Sequence, residues 1–147
     1  FMFISSCNKH KESSINEQDI VKILYIDVGC TTDIIDNTYT LNEMYKEPGV
    51  HNLMLTSSEI NTIKKNIIEL KIYELEDSLK FVKNDKDVRL AEFWIYYKSS
   101  RKQHFVYDSS EDNYKNKSFQ KIMSLKGIIT NIMKRKKIDP ETKNAYL

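Results

Sequence analysis

The segment Leu55-Thr56-Ser57-Ser58-Glu59-Ile60 constrains the chain more tightly than any other stretch. A threonine hydroxyl at a helix start accepts an otherwise unpaired backbone amide, and a glutamate three residues on reaches back to the amide of the cap itself. Leu55 and Ile60 clamp the same turn from outside as a hydrophobic staple. A helix is therefore predicted to start after Thr56. Ile60, Ile63, Ile67 and Leu70 then recur at helical spacing, with Lys64, Lys65 and Asn66 on the other side, so one apolar stripe faces a sheet or another helix. The stripe runs out between Leu70 and Tyr73.

Strand signals flank this helix. Ile20 to Gly29, IVKILYIDVG, is short, β-branched and bounded by polar residues, which predicts a strand apolar on both faces and central in its sheet. Ile34 to Thr40 is a weaker strand candidate, and Glu47-Pro48-Gly49 marks a turn beyond it. Asp87 to Lys98, DVRLAEFWIYYK, predicts a long strand, with Ser99-Ser100-Arg101-Lys102 as a polar connection and His104 to Asp108 as the returning hairpin partner. Ser118 can cap a last helix carrying Phe119, Ile122, Leu125, Ile129 and Ile132, ended by Ile138-Asp139-Pro140. Gly127 inside that helix costs about 1 kcal/mol relative to alanine, so packing must hold it. The order strand, strand, helix, strand, strand, helix implies an α+β domain over residues 20–138. It would be a small, mainly antiparallel sheet of about four strands with two helices packed on one face. Residues 139–147 read as a frayed tail.

Composition narrows the function classes. An apolar fraction of 40% in 147 residues is enough for one buried core, and a formal charge of +2 provides no strong overall field for nucleic acid. No run of about 18 apolar residues occurs, so no helix of this sequence crosses a bilayer.

The start of the chain has a different character. Phe1-Met2-Phe3 leads into Ile4-Ser5-Ser6-Cys7, and a hydrophilic stretch follows at once. This resembles the lipobox of bacterial lipoproteins, in which a branched aliphatic residue, two small residues and a cysteine close the signal peptide. The resemblance implies that residues 1–6 are the remnant of a signal peptide and that Cys7 carries the lipid. It also implies a place in the bacterial cell envelope. No aspartate stands beside the cysteine, where Asn8 and Lys9 follow, so the resemblance favours the outer membrane. Residues 7–19 then form a polar tether of modest reach, keeping the domain close above the bilayer. Small Gram-negative lipoproteins of unknown function show a similar pattern of strands around a capped helix, and that likeness brings no activity with it. If the lipobox does not operate, the alternatives are an apolar N-terminal strand and a Cys7–Cys30 disulfide.

A search for chemistry finds little. His10, His51 and His104 have no metal-binding spacing, and Cys30 has no CxxC partner, so it reads as a small buried residue at a strand end. Asp108 to Asn113 starts like a calcium loop but lacks the glycine at the sixth position and has Phe119 where a bidentate glutamate belongs, which leaves a solvated loop. Asp27, Asp33 and Asp36 cluster near the end of the first strand, where turn-forming and capping roles suffice. No glycine-rich phosphate loop or GxSxG elbow is present. No catalytic set, metal or cofactor is expected. A large polar pocket joining Asp27, Cys30 and His104 would favour an enzyme, and a solid sheet there would count against one.

Two features point to partners. From Lys115 to Lys137 there are eight basic residues and no acidic one, ending in Lys134-Arg135-Lys136-Lys137. Such charge suits a helix C-terminus or the anionic head groups of a lipid surface. Trp94 and Tyr96 share one face of their strand while Phe93, Ile95 and Tyr97 share the other, with Phe105 and Tyr107 across the hairpin. Trp94, Tyr96 and Tyr107 are thus candidates for an aromatic surface that meets a protein, peptide or glycan. The expectation is a lipid-anchored, non-enzymatic binding or structural protein of the cell envelope, with no nucleic-acid partner. The alternative is a soluble partner-binding protein of inhibitor or immunity type without a lipid anchor.

Overall fold

The computed structural model describes residues 14–83, 86, 89–136, 138, 140 and 141. The lipobox residues Ile4 to Cys7, His10, Asp87, Lys137 and Asp139 lie outside the described residues.

Among the described residues seven strands and two α-helices follow one another as β1 (Ile20–Asp27), β2 (Cys30–Asp33), β3 (Thr38–Leu41), β4 (Gly49–Asn52), α1 (Ser57–Glu69), β5 (Ser78–Phe81), β6 (Ala91–Tyr97), β7 (Lys102–Tyr107) and α2 (Lys117–Arg135). The strands form one sheet in the order β4-β3-β2-β1-β6-β7-β5. Every pair is antiparallel except β5 beside β7, which is parallel. The class is α+β, as the sequence predicts, but the sheet is mixed and has seven strands rather than about four.

The extra strands come from short polar segments. β5, SLKF, sits in a charged stretch, and β3 and β4 are four residues each with a single fully buried side chain between them, Leu41. Alternation over four residues is too brief to stand out. The predicted strand over Ile34 to Thr40 is corrected. Ile34 to Asn37 form the turn between β2 and β3, and Asn37 takes the left-handed conformation with φ 62°. Its side chain then grips the chain ahead of α1, accepting from the Leu55 amide at 2.8 Å and donating to the Leu55 carbonyl at 3.0 Å. At the other end of β2, Gly29 has φ +74°, and a Cβ there would lie 2.5 Å from the Asn42 side chain. That turn therefore needs glycine twice over, for its backbone and for its space.

α1 begins as its cap requires. Glu59 accepts from the Thr56 amide at 2.8 Å and Thr56 Oγ1 from the Glu59 amide at 3.2 Å, while Lys71 in the left-handed region ends the helix. Such a cap contributes about 1 kcal/mol. α2 starts two residues earlier than predicted, because Asn116 rather than Ser118 caps it, accepting from the amides of Ser118 and Phe119.

One core holds these parts together. Ile63 and Ile67 of α1 and Phe119, Ile122, Leu125, Ile129 and Ile132 of α2 pack with Phe93, Ile95, Tyr97, Phe105 and Tyr107 of the sheet in a single buried cluster. In β6 burial alternates strictly, so one face of the strand lies under the helices and the other does not. Two boundary readings change. Within the proposed tether, Asn16 caps a single 3-10 turn over Glu17–Asp19, and Ile15 packs on the core. Within the proposed tail, Glu141 pairs with Lys46 by side chain and by backbone.

Candidate functional site

The side of the sheet that the helices leave open carries a compact group from β6 and β7. Trp94 and His104 are register partners, and their rings stack with centroids 3.7 Å apart and planes 11° apart. Glu92 stands beside both. Its Oε2 accepts from His104 Nε2 at 2.8 Å and from Trp94 Nε1 at 3.2 Å. Tyr96 lies along the strand with its ring 6.1 Å from that of Trp94, and Lys102 brings its ammonium 5.9 Å from the indole. Leu24 of β1 is the register partner of Trp94 on the far side. All of these except exposed Lys102 are half-buried.

This geometry decides what the face offers. The imidazole covers one face of the indole, and Leu24 of β1 stands in register on its other side. A pyranose or a base stacks on an open π face, whereas an edge framed by a carboxylate, an imidazole and an ammonium suits a surface with its own polar pattern. Toward β2 the same side continues with Lys22 and Asp33, paired at 3.2 Å, and Asp33 raises the pKa of the lysine by hydrogen bonding to its ammonium.

The remaining candidates are dispersed. Tyr107 is corrected from surface to core: it is 5% exposed and points to the helix side, with Lys126 5.7 Å above its ring and Phe119 edge-on to it. Burial pushes its hydroxyl pKa upward. Lys134 and Arg135 are exposed in the last turn of α2, where they complement the helix dipole. Lys136 is turned inward, pairing with Glu59 at 3.0 Å and donating to the Met54 carbonyl at 2.7 Å. Among the described residues of the run Lys134-Arg135-Lys136-Lys137, Lys134 and Arg135 are therefore the exposed ones.

Of Asp27, Cys30 and His104, the fold brings the first two together and not the third. Cys30 and Asp27 are paired across the first hairpin, and Asp27 lines a groove with Lys126 and Thr130 of α2, while His104 is on the opposite side of the sheet. Burial pushes the Cys30 thiol upward, which keeps it protonated and weakly nucleophilic at neutral pH. Asp33 accepts from the Asp36 amide and Asp27 from the Tyr25 hydroxyl, both local structural roles. Asp108 is not part of a solvated loop. It is buried and accepts from the Lys83 amide at 2.6 Å and from Asn113 Nδ2 at 2.8 Å. Among the described residues no group of three or more His, Cys, Asp or Glu is arranged to hold a metal ion.

Sequence reasoning finds Trp94 and Tyr96 from their alternation but misses Glu92 and His104, which complete the cluster. The signal was available: Glu92 and Trp94 are two apart on one strand, and the hairpin register places His104 opposite Trp94. No protein-family model matches the chain, and comparison with curated proteins finds no match.

Proposed function

We propose that this protein is a non-enzymatic binding module of the bacterial cell envelope, tethered through a lipid on Cys7, and that the open side of its sheet meets a protein or peptide partner. The observation that carries the reading is the Glu92–Trp94–His104 cluster with Tyr96 and Lys102 on the side that neither helix covers. Tryptophan, tyrosine and buried polar pairs at the centre of a surface are the groups from which binding hot spots are built. The occupied face of the indole argues for a protein over a glycan. The anchor rests on the resemblance of Ile4-Ser5-Ser6-Cys7 to a lipobox. Two or three acyl chains on one cysteine hold a protein at a membrane far longer than a single chain does.

One experiment on the full chain in its native host tests both parts. Radiolabelled palmitate is expected to enter through Cys7, and Cys7→Ser to lose the label and move to the soluble fraction. A photo-crosslinker at position 96 is expected to yield a discrete adduct in the membrane fraction, one that Trp94→Ala abolishes. Unchanged labelling of Cys7→Ser overturns the anchor. An absent adduct, or the same adduct from a crosslinker at Lys65 on the exposed side of α1, overturns the binding face.

A further inference from the structure

Among the described residues the sheet ends on one side at β5, which pairs with β7 alone. Its ladder bonds use the carbonyls of Asp77 and Phe81, which accept from the amides of His104 at 2.8 Å and Asp108 at 3.1 Å. Backbone direction alternates along a strand, so Ser78 and Lys80 turn their amide and carbonyl groups outward. Beside β5 runs a groove of about 630 Å³, bounded by Leu79 and Phe81 on one side and by the turn before α2 on the other.

Two features show what this groove lacks. Asn113 lines it and is 1% exposed, with Nδ2 donating to the Phe81 carbonyl and to Asp108, and its Oδ1 accepts no hydrogen bond. A buried acceptor without a donor costs about 1–3 kcal/mol. The rim carries Lys80, Lys83 and Lys115, and of these only Lys115 has an ion-pair partner among the described residues, Asp112 at 2.6 Å. Among the described residues the groove thus sets one carboxylate, Asp112, against three lysines, with an unpaired acceptor buried in its wall. An extended peptide supplies amide donors at strand spacing, and acidic side chains supply the charge.

We propose that β5 and its groove bind an acidic, extended peptide segment as an added strand. Lysine on an edge strand also repels edges of like charge, so the same residue that discourages self-pairing selects an acidic partner. This surface adjoins the Trp94 cluster, since Ser78 of β5 is the register partner of His104 and His104 that of Trp94, but the proposal rests on the β5 edge and its groove and not on the reading given above.

The test uses the full chain and fluorescein-labelled Glu-Val-Glu-Val-Glu, amidated, with Lys-Val-Lys-Val-Lys as its counterpart, followed by fluorescence anisotropy. The acidic peptide is expected to bind saturably and about tenfold more tightly than the basic one. Lys80→Pro removes an outward amide that the β7 ladder does not use, so the fold survives, and binding is expected to fall by about tenfold. Lys80→Gln keeps that amide and is expected to lose only about threefold. If thermal melting shows that Lys80→Pro does not fold, the double variant Lys80→Glu with Lys83→Glu carries the test, and it is expected to reverse the peptide preference. Equal binding of the two peptides, no binding, wild-type binding by folded Lys80→Pro, or an unreversed preference in the double variant overturns the proposal.

Discussion

Phe93→Ala is expected to destabilise the domain by about 3–5 kcal/mol, the usual cost of emptying a phenylalanine site in a close-packed core. Phe93 is fully buried under the helices, with its ring 4.8 Å from that of Tyr25, and the helices above it cannot collapse into the void without losing contacts elsewhere. Its neighbour Trp94 is larger, yet Trp94→Ala is expected to cost only about 2 kcal/mol, from its stacking on His104 and the contacts of a half-buried indole. Urea denaturation followed by far-ultraviolet circular dichroism measures both without relying on the indole. Similar losses for the two would mean that the side carrying Trp94 is as much a part of the core as the side carrying Phe93.

Gln103→Ala is expected to cost about 2–4 kcal/mol, because each buried polar group that loses its partner costs roughly 1–3 kcal/mol. Gln103 is 0% exposed. Its Nε2 donates to the carbonyls of Ile72 at 3.0 Å and Leu75 at 2.9 Å, and its Oε1 accepts from the Tyr97 hydroxyl. These bonds pin the connection between α1 and β5 to the sheet, and Arg101 reinforces them by donating to the carbonyls of Tyr73 and Leu75. Tyr97→Phe removes one partner cleanly. The double variant Gln103→Ala with Tyr97→Phe is therefore expected to cost less than the sum of the single changes, a coupling that a double-mutant cycle by urea denaturation reads directly. Additive costs would show that the hydroxyl and the amide do not depend on each other.

How much of this was legible in the sequence differed by the kind of signal. The two helices were clear because a capping box and a long 3.6-residue stripe each require many residues to agree, as at Thr56, Glu59, Ile63 and Ile67. The β6–β7 hairpin was clear because seven residues of β6 alternate without a break. β1 was recognised from its apolar content, and it lies between β2 and β6 in the middle of the sheet. The short strands were hidden. β4 contains no fully buried side chain, and β5 is held by backbone pairing with β7 across a distance in sequence that no local pattern reports. Tyr107 was assigned to the wrong side because its hairpin neighbours are aromatic on both faces, so composition alone could not fix which face was covered. Lys136 looked like one of four equivalent charges. Only the approach of the α2 C-terminus to Glu59 shows that it belongs to the scaffold.

The site was half legible for a similar reason. Trp94 and Tyr96 announce themselves as large apolar residues, whereas Glu92 and His104 acquire meaning only through the register that sets them beside the indole. Polar residues on a strand are common, and nothing local distinguishes these two from Lys102 or Lys80.

Because Trp94 is the only tryptophan in the chain, incorporation of 5-fluorotryptophan places a single fluorine resonance at the centre of the proposed binding face. Addition of detergent-solubilised envelope from the native host is expected to shift or broaden that resonance, while a cytosolic extract at the same protein concentration leaves it unaltered. A resonance that responds to neither extract, or equally to both, would contradict a role for the open side of the sheet in meeting an envelope partner.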